Sequence, residues 1–331
     1  MVANASDSNH AANHGKPGLV SIVVPAYNAA RTIGEMIASV LAQTCPDFEL
    51  VVCNDASTDA TAAVVRGFAD PRIRLLENDT NLGEGASRDR AIAAARGQWI
   101  AMLDADDAWQ PQRLERLLAV AGDAGNCMVF DDLLRCHDTP AGLVAWRRLR
   151  GPSAFGSRGI KPRDVPVERF IQSDRLLIKP LVPASCIRAG DIRHGLSRFG
   201  ADTEFFLRLL ATGVRLRYVP EAMYLYRITP GSATANPARH RLMRECVEAA
   251  MALPGFAPSA REALRGKVEA LRRKETYASF VGAVRGADWR ASWRILVRNP
   301  WLPGRMLRRV LQATVYNLHR RRHSGSGRVA S

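Results

Sequence analysis

A chain of 331 residues, 47% of them hydrophobic, is long enough to bury one large domain with an appendage or two domains, and its composition is that of an ordinary soluble protein. The formal net charge of +15 sits almost wholly at one end, because residues 236–331 hold 20 Lys+Arg against 6 Asp+Glu while residues 1–235 hold 27 against 26. That asymmetry suits the C-terminal region to a nucleic acid or an anionic membrane surface and leaves the body neutral. The six cysteines are scattered, with no Cys-x-x-Cys pair and no His at zinc-ligand spacing, which excludes a zinc module and implies reduced thiols in a reducing compartment.

Residues 1–18 are small and polar without an apolar segment, so they are expected to form a disordered tail and not a signal peptide. No later stretch reaches the roughly 18 to 20 apolar residues of a membrane span, and a cytoplasmic protein without a transmembrane helix is expected. From Leu19, strand and helix alternate. Val20–Val24 is a β-branched strand, and Ile33, Ile37, Val40 and Leu41 recur at helical spacing within Ala30–Gln43. Phe48–Cys53 is a second strand, followed by a helix to about Phe68 that Ser57 or Thr58 would cap. Ile73–Leu76 is a third, Asn81–Arg88 leads into a helix through Ala95, and Gln98–Leu103 is the fourth. Such alternation predicts right-handed βαβ units and a doubly wound, mostly parallel sheet.

The fourth strand stops in Asp104-Ala-Asp106-Asp107. Ligands of open α/β sheets collect at the carboxyl ends of strands, and carboxylates packed this closely repel until a hard cation such as Mg²⁺ or Mn²⁺ relieves them. The competing reading is a strand end before a capped helix. Asn28, Asp55 and Arg88 end other strands on the same edge, although an isolated Asp in a turn is most often an Asx-turn. There is no Gly-x-Gly-x-x-Gly after the first strand and no P-loop lysine, which counts against dinucleotide and NTPase sites.

Val23-Val-Pro-Ala-Tyr-Asn28, Asn54-Asp-Ala-Ser-Thr-Asp59, Asn81-Leu-Gly-Glu-Gly-Ala-Ser-Arg88 and Asp104-Ala-Asp-Asp107 occur in the order and spacing of the family 2 glycosyltransferases, which the chain resembles from about Leu19 to Ala235. The resemblance implies a GT-A type fold that binds a nucleotide-diphospho-sugar, with 19–130 as the donor half and 131–235 as the acceptor half, and a reaction that inverts the anomeric centre. It implies that Pro25, Tyr27 and Asn28 border the nucleoside pocket, that Asp55 bonds the base, usually uracil, that Arg88 lies near the donor, and that Asp104, Asp106 and Asp107 hold ribose and a divalent metal.

Further on, Gly200-Ala-Asp202-Thr-Glu204 opens a helix whose first turn is acidic, which the helix dipole favours by itself. The resemblance places the catalytic base at Asp202, taking a proton from the acceptor hydroxyl while the metal steadies the leaving diphosphate. One carboxylate suffices for a single displacement, whereas retention would need a second as nucleophile. Ala201 stands where the family usually has Glu, and Thr229 where many relatives carry His, so Arg227 or Ser232, with Glu204, are the acceptor or diphosphate candidates. The segment 138–174, bearing Arg147, Arg148, Arg150, Arg158, Lys161 and Arg163, is expected to be a mobile loop over the cleft, or else simply a solvated one.

Residues 236–331 read as a basic helical extension of three or four helices. Leu307, Leu311 and Leu318 share one face, flanked by Arg305, Arg308, Arg309 and Arg320–Arg322, with Trp289, Trp293 and Trp301 upstream. That combination suits an anionic bilayer, and no nucleic-acid-binding signature accompanies it. The expected function is transfer of a sugar, with UDP as the expected nucleotide, to a lipid-linked glycan in cell-surface or exopolysaccharide synthesis, by an enzyme peripheral to the inner face of the cytoplasmic membrane. A sugar nucleotidyltransferase would want a Gly-rich, basic loop after its first strand, and Pro25-Ala-Tyr-Asn28 argues against one. A silent glycan- or nucleotide-binding scaffold is the other alternative.

Overall fold

The computed structural model describes residues 18–122, 126–139, 142–149, 161–173, 176–195, 200–228 and 238–304. Residues 1–17, Ser232, Thr229 and the arginines from Arg305 to Arg322 lie outside them. The order is β1 (Val20–Ala26), α1 (Ile33–Leu41), β2 (Phe48–Asn54), α2 (Thr61–Arg66), β3 (Ile73–Glu77), α3 (Glu84–Ala94), β4 (Trp99–Met102), β5 (Ala108–Trp109), α4 (Arg113–Ala121), β6 (Cys127–Thr139), β7 (Gly142–Arg148), β8 (Arg163–Asp164), α5 (Val167–Gln172), β9 (Leu181–Pro183), α6 (Ala184–Ala189), α7 (Ala201–Ala211), β10 (Arg215–Arg227), α8 (Arg239–Met251), α9 (Pro258–Arg285) and α10 (Trp289–Arg298).

The sheet runs β3-β2-β1-β4-β9-β6-β10-β5. β3, β2, β1 and β4 are parallel, β9 runs antiparallel between β4 and β6, and β6 and β10 are parallel to each other. β1 and β2 are buried at every position, as strands covered on both faces must be. One face of β1, formed by Val20, Ile22, Val24 and Ala26, shares a core with Ile33, Met36, Ile37 and Val40 of α1 and Leu114, Leu117 and Leu118 of α4. Those α1 positions follow the 3.6-residue period, and each such side chain, fully buried, stabilises by about 1.5–3 kcal/mol. On the other face Ser21 donates to Glu49 at 2.6 Å and accepts from the Gly97 N–H at 2.8 Å.

Three local expectations differ from what the chain does. Neither Ser57 nor Thr58 caps α2; Asp59 accepts from the Thr61 N–H at 2.9 Å instead. The strand expected over 181–186 ends at Pro183, and α6 begins at Ala184. Part of the expected loop over 138–174 is strand, since β7 pairs antiparallel with β6, and α5 follows from Val167. The chain divides into two compact units, 1–268 and 269–331. The first passes the change in charge at residue 235 because α8 packs against α7. Among the described residues no helix is long and apolar enough to cross a membrane.

Candidate active site

β1 is followed outward on one side by β2 and β3 and on the other by β4, so the direction of winding reverses between β1 and β4. The crevice at that reversal is where open α/β sheets place ligands. The loop leaving β1 is fastened to the loop leaving β2. Asn28 accepts from the Thr58 N–H at 2.9 Å, the Asn28 N–H donates to Ser57 at 3.0 Å, and the Ala30 N–H donates to Asp59 at 3.0 Å. Asn28 holds a left-handed backbone, φ 49°, a conformation asparagine tolerates better than most side chains. Pro25 is buried inside β1, whereas the Tyr27 ring is 52% exposed at the mouth of the crevice.

Asp55 ends β2 almost fully buried. Its carboxylate accepts from the Leu82 N–H and the Gly83 N–H, both at 2.8 Å, and from the Asn78 amide at 2.7 Å. Burial favours its neutral form, but these donors outweigh burial and hold the carboxyl below its usual range. In this arrangement Asp55 fixes the loop that starts α3.

The centre of the site joins three distant segments. Arg88, on α3 and fully buried, donates to Asp104 at 2.7 Å, to Glu84 at 2.6 Å and to Asp202. Lys179, 2% exposed, lies 2.6 Å from Asp104 Oδ2 and 2.9 Å from Asp202 Oδ2. Its backbone carbonyl accepts from Arg113, which pairs with Asp131 at 2.8 Å. His194 closes the group, its Nδ1 2.6 Å from Asp89 and its Nε2 3.7 Å from Asp202. Two polar atoms here are buried without a hydrogen-bond partner, His194 Nε2 and Arg88 Nε. Gly200 leads into α7 with φ 82°, and a side chain there would also meet the Cys246 sulfur at 3.0 Å, so glycine sets the helix start that aims Asp202 inward.

Electrostatics favour the charged forms of Lys179 and Asp202. Burial disfavours the ammonium, yet Asp104 and Asp202 raise the Lys179 pKa. Burial would likewise raise Asp202, but Arg88, then Lys179 and His194, hold its carboxyl well below the usual range. Asp106 behaves oppositely: burial, then the charge of Asp104, pushes it up to about 6.

Asp107 is turned away from that centre. It accepts from the Tyr224 hydroxyl at 2.7 Å and from the Arg227 N–H at 2.8 Å, and it is 1% exposed. Tyr224 in turn accepts from the Asp104 N–H at 3.2 Å, so β10 braces the acidic turn. The Arg227 side chain is spent on the Asp106 carbonyl, Asp138 and Glu35. Asp107→Ala would leave a buried hydroxyl and a buried N–H unpaired, at about 1–3 kcal/mol each. Urea unfolding should therefore show a loss of roughly 2–6 kcal/mol; unchanged stability with lost metal dependence would instead return Asp107 to the metal.

Among the described residues no group of three or more His, Cys, Asp or Glu side chains is arranged to hold a metal. Mg²⁺ and Mn²⁺ need fewer, since one or two carboxylates with substrate phosphates and water suffice. Asp106 fits: it is half-buried, and no side-chain donor or cation bonds its carboxylate among the described residues. Asp104 stands beside it, engaged by Lys179 and Arg88. Of the residues expected from sequence, Arg88, Asp104 and Asp202 meet directly and Asp106 borders them. Tyr27, Asn28 and Asp55 lie on the loops leaving β1 and β2 at the same sheet edge, Pro25 and Asp107 are internal, and Glu204 bonds Arg208 at 2.5 Å. Lys179 and the Asp89–His194 pair were not foreseen.

The mostly parallel sheet, with its carboxylate cluster at the winding reversal, has a GT-A type fold. Two solved structures share it: a fragment of Staphylococcus aureus TarS in complex with UDP, TM-score 0.61 at 19% identity over 80% of this chain and 73% of that one, and the mannosyltransferase PcManGT of Pyrobaculum calidifontis with GDP-Man and Mn²⁺, TM-score 0.63 at 18% identity over 90% and 81%. Residues 21–158 match the family model described as glycosyl transferase family 2. The succinoglycan biosynthesis protein ExoO of Rhizobium meliloti is 37% identical over 64% of this chain and 62% of its own length. The UDP-Glc:alpha-D-GlcNAc-diphosphoundecaprenol beta-1,3-glucosyltransferase WfgD of Escherichia coli is 45% identical over 31% of this chain and 40% of its own. The chain thus spans less than two thirds of these relatives.

Proposed function

We propose that the chain is an inverting glycosyltransferase that moves a sugar from a nucleotide-diphospho-sugar, with UDP as the nucleotide, to a lipid-linked glycan at the inner face of the cytoplasmic membrane. The observation that carries this reading is the meeting of Asp104 and Asp202 on one buried ammonium, that of Lys179. A carboxylate from the donor-side strand and one from the acceptor-side helix thereby face the same small volume. Tyr27 offers an exposed ring to a nucleoside, and Arg88 and Lys179 supply the fixed positive charge that a diphosphate leaving group needs. Asp202 takes the acceptor proton in a single displacement. A divalent cation held by Asp106, with Asp104 adjacent, would add charge stabilisation to the leaving diphosphate. The names of ExoO and WfgD support an acceptor of the exopolysaccharide or lipid-linked class.

The test is a panel of nucleotide sugars, scored for release of the nucleoside diphosphate with and without Mn²⁺. Asp106→Ala should abolish release and remove the Mn²⁺-dependent part of nucleoside diphosphate binding measured by calorimetry. Unchanged metal-dependent affinity would move the cation elsewhere. Binding without release by the wild-type protein, across the whole panel, would favour the scaffold.

A further inference from the structure

α10 carries a surface that the transfer reaction does not use. Trp289, Trp293 and Val297 recur every fourth residue and so line one stripe of the helix, and they are 67%, 68% and 62% exposed. Arg290, Arg294 and Arg298 form a second exposed stripe, one residue further round. The opposite side is the covered one, with Ser292 buried and Ile295 and Leu296 half-buried. The orientation is the reverse of what core packing gives, where tryptophans go inward and a solvated face is polar. The helix itself is well anchored. Asp288 caps its start by accepting from the Ala291 N–H at 2.9 Å, the Ser292 hydroxyl donates to the Asp288 carbonyl at 2.8 Å, and the Asn299 amide donates to the Ile295 carbonyl at 2.8 Å.

α10 contains no Asp or Glu, and among the described residues none of its three outer arginines pairs with a carboxylate. It lies in the region where 20 Lys+Arg face only 6 Asp+Glu. A partner must therefore accept flat, amphipathic aromatic surface and positive charge side by side. Duplex nucleic acid would take the arginines but offers nothing to the Trp289–Trp293–Val297 stripe. A bilayer interface takes both at one depth, because tryptophan rings settle at headgroup level while arginine stems reach to the lipid phosphates.

We propose that this face of α10 docks on an anionic lipid bilayer, with Trp289, Trp293 and Val297 entering the headgroup layer and Arg290, Arg294 and Arg298 against the phosphates. This deepens the membrane part of the reading above by assigning it to particular residues. It is tested separately from sugar transfer, because binding is measured without a donor. The full chain is sedimented with vesicles of phosphatidylcholine, with and without phosphatidylglycerol. Wild-type protein should bind the anionic vesicles and be released at high salt, where the Debye length falls to about 3 Å near 1 M.

The triple variant R290Q/R294Q/R298Q should partition on the order of 100-fold more weakly, since each basic residue near the surface contributes about fivefold. W289S/W293S, which leaves the charge unchanged, should lose roughly tenfold or more. Both variants alter exposed positions outside the active site, so their melting temperatures and donor turnover without vesicles should match wild type. Equal binding to neutral vesicles, or wild-type partitioning by both variants, overturns the proposal. So does loss of a dimer in W289S/W293S on size exclusion with no vesicle binding by the wild type, which would make the face a contact between copies. Vesicle binding that follows these residues in a protein inactive on every nucleotide sugar upholds the docking face and overturns the transfer reading instead.

Discussion

Asp202→Asn is expected to lower kcat by about 10²–10⁴, the usual contribution of a general base, while the donor KM changes little. The amide keeps the shape of the carboxylate and can still accept from Lys179, but it cannot take a proton. The environment of Asp202 makes this test sharp. Arg88 and Lys179 hold its carboxyl well below the usual range against the opposing effect of burial, and a carboxylate so held is a poor proton acceptor. The same two cations are those a bound diphosphate would attract, so donor binding should draw them from Asp202 and raise its basicity as the acceptor arrives. Glu204→Gln should matter less, because Glu204 is occupied by Arg208 one turn along α7. If Glu204→Gln proves the more damaging change, the base has been assigned to the wrong carboxylate.

The motif residues were legible from sequence because each lies where a local pattern breaks. Asp55, Arg88 and Asp104 follow directly on apolar strands or a glycine-bearing turn, and the alternation of strands and helices brings those breaks to one edge. Lys179 was not legible. It is a lone lysine beside Ile178 and Pro180, 75 residues from Asp104, and it reaches the site only because β9 enters the sheet antiparallel between β4 and β6. No local periodicity encodes that insertion. Arg227 shows the converse. The sequence offered it as an acceptor or diphosphate candidate, but it ends β10 and three acceptors on other segments consume its guanidinium. In the C-terminal region the charge was plain in the composition, while the outward orientation of Trp289 and Trp293 depends on which side of α10 is covered.

Lys179→Met is the second large effect expected, and it falls on stability and donor affinity together. Among the described residues the Lys179 ammonium and the Arg88 guanidinium are the two cations that pair with both Asp104 and Asp202, so removing the ammonium leaves two largely buried carboxylates with one cation between them. Breaking a buried pair from one side costs about 3–5 kcal/mol, a large part of the roughly 5–15 kcal/mol that holds a domain folded. Thermal unfolding should shift down accordingly. The cause is separable from lost packing, since methionine fills much the same volume. Adding Asp202→Asn to Lys179→Met removes the surplus charge and should recover stability, with a coupling of about 0.5–3 kcal/mol in the double-mutant cycle. Lys179→Arg, which keeps the charge, should stay closer to wild type in both readouts. Folded Lys179→Met should bind the nucleoside diphosphate at least about tenfold more weakly, equivalent to 1.4 kcal/mol. A cycle with no coupling, or nucleoside diphosphate affinity equal to wild type, would show that Lys179 neither balances the two carboxylates nor meets the donor.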